Sequence, residues 1–362
     1  MTRTMICAAA LAALVLGAVG IEAQTRSLPI FEVDKAWPKL PPKYKIGDPS
    51  SFAIDAKDNV WLLHRPRTLL KPEDAKMAAP PVVVFDTAGN FIRAWGGDGA
   101  GYQWVEREHG IHIDQQGFVW VTGNNCPTNG IKNLRPVADD QILKFTQEGK
   151  FVLQIGRTSE SKGNADTRNV HRAADVQVSP GTNELFVADG YGNRRVAVFD
   201  ATTGAFKRMW GAFGSTPTDE DNCMVMTPAT FPAGKGPAQF NIVHALRLAK
   251  DGTVYVADRE NRRVQVFTPQ GKFVNQVIKT DTPFARNLAL SPDQQWLYVG
   301  DGMEIAVVDR KSLTIVGAIK PPGMIGGGHQ IATDSKGNLY IAATGMGMQK
   351  LAFKGMSTAA TR

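Results

Sequence analysis

A unit of roughly 42 residues, recurring six times, limits what this chain can fold into more than any other property. Its clearest copy is His244–Phe267, HALRLAKDGTVYVADRENRRVQVF. An apolar pair, Leu246 and Leu248, leads to a turn at Lys250-Asp251-Gly252. The β-rich run Val254–Asp258 follows, and Asn261-Arg262-Arg263 turns the chain into Val264–Phe267. Looser copies align on Phe52/Ile54, Ile111/Ile113, Val176/Val178, Leu288/Leu290 and Ile331/Thr333. Alternating apolar residues between turn signals read as short strands. Such a unit cannot bury its apolar face alone, so the copies must stack. Six units of about four strands predict an all-β six-bladed β-propeller. The intervals that exceed the repeat contain Pro66–Pro81, Asn124–Ala138 and Ala212–Gln239. Their Pro, Gly, Asn and Thr content predicts loops, some of them crowding one rim, where binding commonly occurs.

The residue two places before each apolar pair is Ser50, His109, Ala174, His244, Arg286 and His329. Histidine fills this slot in every second copy. Alternate blades of a six-membered ring lie 120° apart, so the three imidazoles are predicted to converge on the central channel. Three imidazoles and one open position form the ligand set of a catalytic zinc. His64, His112 and His171 break the pattern and read as structural or supporting, with His64 and His171 the better candidates for supporting the site. A second slot, just past the second strand, holds Arg65 in copy one and Arg259 in copy four, and copy three has Gly190-Tyr191 there. Guanidinium groups facing a channel suit a carboxylate, although each arginine could instead pair with a neighbouring acid. Tyr191 reads either as a rim aromatic or as a phenol near the metal that can move a proton.

The ends of the chain carry two further expectations. Arg3, the apolar stretch from about Met5 to Ile21, and Ile21-Glu22-Ala23 form a secretory signal layout over residues 1–23, with 24–362 as the propeller. Export to the periplasm or medium follows, with no membrane association after cleavage. The last repeat ends after Leu351-Ala352-Phe353 with no outer strand behind it. Near the N-terminus, Val33–Trp37 is similar to Phe91–Trp95 and Phe206–Trp210, which close their own repeats. The N-terminal segment is therefore predicted to supply the missing strand and close the ring. The net charge of +7 is spread rather than run together, so nucleic acid is not expected as a partner. Cys126 and Cys223 both sit in insertions, and whether they pair stays open.

The segments Asp189-Gly190-Tyr191-Gly192-Asn193-Arg194-Arg195 and Ala257–Arg262 resemble signatures of NHL-repeat propellers. Together with His-Gly-Ile at His109, Val-His-Ala-Leu at His244 and Gly-His-Gln at His329, they resemble the peptidyl-α-hydroxyglycine α-amidating lyases. The likeness runs from Leu63 to about Tyr340. It implies zinc on His109, His244 and His329, a catalytic tyrosine at Tyr191 and active-site arginines at Arg65 and Arg259. The implied reaction cleaves the C–N bond of a peptidyl- or N-acyl-α-hydroxyglycine to an amide and glyoxylate. Three departures stand out. Gly192 follows the tyrosine where animal members place a disulfide nearby. Gln330 stands where the family has an aspartate that helps bind a structural calcium. The hydroxylase domain that makes the substrate is not found in this sequence.

Two other readings remain in view. One is a non-catalytic exported NHL propeller that binds a protein or glycan through its loop face, since fold alone does not fix function. The other is a calcium-dependent lactonase or esterase, whose hard cation calls for carboxylate ligands rather than imidazoles. The partner expected for the lyase is a small molecule or peptide bearing a carboxylate, and the chain is expected to be a monomer.

Overall fold

In a computed structural model, residues 27–128, 130–219 and 236–358 are described. The expected signal segment, residues 1–23, and Cys223 lie outside them. Six four-stranded antiparallel sheets are arranged around a central channel. Blade one comprises Asp48–Ile54, Val60–Arg65, Val82–Phe85 and Phe91–Trp95. Blade four comprises Val243–Leu248, Val254–Asp258, Arg263–Phe267 and Phe273–Ile278. The first strand of each blade lines the channel and meets its counterparts in neighbouring blades.

The ring closes as the sequence predicts, but not with the residues that suggested it. Ser27–Val33 is the outer strand of blade six and pairs with Gly347–Thr358, Val33 opposite Leu351 and Ser27 opposite Thr358. The Val33–Trp37 motif continues past this strand. Trp37 turns inward instead and packs between blades six and one, against Phe52, Phe85 and Tyr340 at 5.3–5.8 Å. Alternation marks a strand but does not fix its register.

Apolar residues form six clusters, one between each adjacent pair of blades. The first hairpin of several blades repeats one device. Asp55 accepts the backbone N–H groups of Lys57 and Asn59 with one oxygen and Trp61 Nε1 at 3.0 Å with the other. Asp114 does the same for Gln116, Phe118 and Trp120. In blade six Asp334 accepts the hydroxyl of Tyr340. The turn is thereby tied to the aromatic that fills the blade interface. A second device holds the other rim. Asp189 pairs with Arg195 at 2.8 Å and Asp258 with Arg263 at 2.7 Å, all four side chains fully buried. Asn193 and Asn261 bond the same carboxylates. This is why Asp, Asn and Arg recur at that turn.

Each second strand runs antiparallel to the first, so it ends on the rim where the first begins. The Pro66–Pro81 and Asn124–Ala138 insertions follow second strands, and Ala212–Gln239 follows an outer strand, which ends on the same rim. As far as they are described, all three sit on the face where the slot residues lie.

Candidate active site

His109 and His244 are the second residues of the inner strands Glu108–Ile113 and Val243–Leu248, and His329 immediately precedes Gln330–Thr333. The pairing register slips at Glu108/Ile111 and again at Val243/Ala245. A bulge at a strand end re-aims a side chain, and here it turns the two rings toward the axis. The ring centroids are 4.9 Å apart for His109–His244, 4.6 Å for His109–His329 and 4.9 Å for His244–His329. The slot therefore does bring alternate histidines together.

The other three slot residues have a use that their side chains do not announce. His109 Nδ1 donates to the carbonyl of Ala174 at 2.7 Å, and His329 Nδ1 to that of Ser50 at 2.8 Å. His244 Nδ1 donates to the carbonyl of Arg286. Each histidine is thus anchored by the slot carbonyl of the next blade. A carbonyl can only accept, so every Nδ1 carries the proton and every neutral ring keeps its lone pair on Nε2. Burial first, then neighbouring cationic or imidazole groups, hold all three well below the ordinary histidine value. These are neutral imidazoles, the state that ligates a metal.

Tyr191 Oη lies 3.1 Å from both His109 Nε2 and His244 Nε2. It accepts Arg259 Nη1 at 2.9 Å. One phenolic hydrogen cannot serve two imidazoles, so the convergent lone pairs outnumber the donors. Ligating nitrogens within 4.8 Å of one another, short of donors and anchored from behind, fit a divalent cation of zinc's preference. Tyr191 is held tightly by its flanking glycines. A Cβ on Gly190 would fall 2.2 Å from the backbone nitrogen of Val243, and one on Gly192 would fall 2.0 Å from the His171 ring. The glycine after the tyrosine is therefore a packing requirement, because the imidazole fills that space.

Arg65 ends the second strand of blade one, 4% exposed. It donates Nε to the Glu108 carbonyl at 2.8 Å and Nη2 to Ser50 Oγ at 3.3 Å, with no carboxylate partner among the described residues. Burial and the adjacent Arg107 lower it to about 10, still cationic at neutral pH. Arg259 does pair with a neighbour, Nε to Glu260 Oε1 at 2.7 Å. Burial opposes its charge, but Tyr191 and Glu260 outweigh this and hold it above its ordinary value.

Of the remaining histidines, His171 bonds Asp140 Oδ1 at 2.7 Å beside the Tyr191 loop. His64 is tied to Gly47 and Pro80 and touches none of the three. His112 accepts Val178 N–H toward the opposite end of the channel. The calcium expectation does not fit the residues present. Gln330 Nε2 donates to the His244 carbonyl. The nearby Asp175 is already neutralised by Arg247 at 2.6 Å, which also bonds the carbonyls of Leu246 and Ile331. The histidine trio is the one group of potential ligands found among the described residues. Cys126 is disulfide-bonded, and its partner lies outside the described residues.

His244, His329 and the arginines open into a cavity of about 720 Å³ on the loop-bearing face. Sequence reasoning missed Arg107, Arg172 and Glu260 in its lining, and it named Arg286 only as a slot residue.

Comparison with known proteins bears on the fold and the kind of protein. The NHL repeat signature matches residues 240–267, the unit containing His244 and Arg259. Peptidyl-glycine α-amidating monooxygenase B of Xenopus laevis is 29% identical over 260 residues, 68% of this chain and 26% of that protein. A probable peptidyl-α-hydroxyglycine α-amidating lyase of Caenorhabditis elegans is 30% identical over 162 residues, 44% of this chain and 36% of that one. The chain is a six-bladed NHL-repeat propeller, and its similarity to these proteins supports kinship with the peptidyl-α-hydroxyglycine α-amidating lyases. It spans about a quarter of the length of the monooxygenases it matches. The family also has a neighbour without lyase in its name: human NHL repeat-containing protein 3 is 25% identical over 307 residues, 82% of this chain and 72% of that protein.

Proposed function

We propose that this chain is a zinc-dependent carbon–nitrogen lyase that splits a peptidyl- or N-acyl-α-hydroxyglycine, R–CO–NH–CH(OH)–COO⁻, into the amide R–CO–NH₂ and glyoxylate. The observation that carries the reading is the convergence of three neutral imidazoles, each anchored through Nδ1, beside a phenol that an arginine holds in place. Zinc bound there would supply Lewis acidity toward the hydroxyl oxygen of the substrate. Arg65, which has spare donors and no carboxylate partner, binds the substrate carboxylate. Arg259 assists and offsets negative charge that develops beside it. Tyr191, acting in its ionised form beside the Arg259 guanidinium, accepts the hydroxyl proton. The C–N pair then leaves with nitrogen as the C–O bond becomes the aldehyde carbonyl of glyoxylate, and Tyr191 returns the proton to nitrogen. Atoms and charge balance without a redox partner.

The test is incubation with α-hydroxyhippurate, following glyoxylate. Release that a chelator abolishes and zinc restores is expected. No release from the zinc-loaded protein would sink the proposal. The likeness to NHL repeat-containing protein 3 favours a second reading, a binding propeller, and that reading predicts neither bound zinc nor glyoxylate. We also propose export, because a disulfide at Cys126 suits an oxidising compartment. Finding the chain in the cytoplasmic fraction alone would contradict this.

A further inference from the structure

The cavity above the histidines carries more positive charge than a hydroxyglycine unit can use. Arg65, Arg107, Arg172, Arg259 and Arg286 line it, against the single carboxylate of Glu260. Arg259 is already committed to Glu260 and Tyr191. Arg65 is the free deep cation and takes the hydroxyglycine carboxylate in the reading above.

Arg172 is fully buried and bonds the His171 ring, which leaves Arg107 and Arg286. The backbone of Arg107 is fixed, its N–H on Asp139 Oδ2 at 2.9 Å and its carbonyl accepting Asn124 N–H at 3.0 Å. Its half-buried guanidinium forms no hydrogen bond or ion pair among the described residues, and it is close enough to Arg65 to repel it. Arg286 is fixed by the bond from His244 to its carbonyl, while its exposed side chain has no partner among the described residues. Like charges that line one cavity without a counter-charge cost stability unless a bound anion relieves them. The same cavity is lined in part by the apolar side chains of Ile131, Met303, Ile325 and Met346.

We propose that the natural substrate carries a second anionic group in its acyl portion, bound by Arg107 and Arg286, with the intervening methylenes against that apolar lining. The substrate class is then an N-acyl-α-hydroxyglycine whose acyl chain ends in a carboxylate. This rests on the lyase reading for the reaction but not for the binding.

Calorimetry of the zinc-loaded protein with three unreactive probes separates the two. N-succinylglycine has the second carboxylate, N-acetylglycine lacks it, and N-benzoylglycine is apolar. N-succinylglycine is expected to bind at least about tenfold more tightly than either at low salt, with the advantage shrinking as salt rises. Arg107→Gln and Arg286→Gln should each reduce its affinity severalfold more than that of N-acetylglycine, and Arg107→Lys should retain part of the preference. N-succinylglycine binding no tighter than N-benzoylglycine overturns the proposal. So does an equal loss for all three probes in both glutamine variants, or no binding of any probe. Glyoxylate release from α-hydroxyhippurate is followed in parallel. If it occurs without a preference for N-succinylglycine, only the second anion site fails. If the preference holds and no hydroxyglycine is cleaved, only the lyase reading fails.

Discussion

The hydroxyl of Tyr191 accepts a 2.9 Å hydrogen bond from Arg259 Nη1, and the same guanidinium lies 5.3 Å from the centre of the tyrosine ring. The phenol is therefore positioned by a cation as well as by its glycines. Tyr191→Phe removes the proton acceptor and leaves the three imidazoles intact. Glyoxylate release should fall by roughly 10²–10⁴-fold, the usual worth of a positioned acid–base group, while zinc per chain stays at the wild-type level. Unchanged turnover would remove the tyrosine from the chemistry.

His244→Ala deletes one of three ligands. Metal analysis should find zinc well below one per chain, and the thermal midpoint should no longer rise when zinc is added. In the wild-type protein a metal at about a thousand times its dissociation constant adds roughly 4 kcal/mol to folding stability. A zinc-dependent midpoint in the variant would mean that the ion binds elsewhere.

His64 is buried, and burial lowers its pKa from 6.5 to about 4. Its folded value is depressed, so the unfolded chain binds the extra proton between those values. Its contribution to stability is complete above pH 6.5 and is lost as pH falls toward 4. His64→Gln should be less stable near neutrality, yet lose stability less steeply across this window. The difference approaches one proton, about 1.4 kcal/mol per pH unit. The raised acids Glu108, Asp139 and Asp258 act in the opposite sense in both proteins and cancel in the comparison. Urea denaturation from pH 7 to 4.5 measures it, and parallel curves would refute it.

Arg247 and Asp175 form a pair within the channel, both largely buried. Arg247→Ala strands a buried carboxylate and should cost about 3–5 kcal/mol in denaturant unfolding, whereas replacing both residues with leucine should recover much of that. A loss under 1 kcal/mol in the single variant would show that water already compensates Asp175.

Phe31, 5% exposed on the N-terminal strand, packs against Phe353 and Tyr298 where the ring closes. Phe31→Ala should destabilise the fold by about 3–5 kcal/mol. Thermal unfolding checks this, and a neutral effect would mean that the closing strand contributes little to holding the disc together.

Much of this was legible along the chain because a propeller turns local periodicity into global position. Every repeat folds against its neighbours in the same way, so a slot in the sequence is a place on the ring. The alternation at His109, His244 and His329 therefore forecast a meeting of residues more than two hundred positions apart. Arg65 and Arg259 were found by the same logic. The closing strand was forecast through Val33–Trp37, but Trp37 belongs to the core, since similarity between outer strands does not set register.

Chain order and residue type determined the strands, the six-fold count and which side chains face the hub, because these depend on spacing and on the need of each unit to bury its apolar face. Only the tertiary structure decided how the hub works. The anchors for the histidines are backbone carbonyls of Ser50, Ala174 and Arg286, and a carbonyl is common to every residue type. The uncommitted charge of the cavity comes from Arg107 and Arg286, whose lack of partners among the described residues depends on which neighbours the closed ring brings within reach.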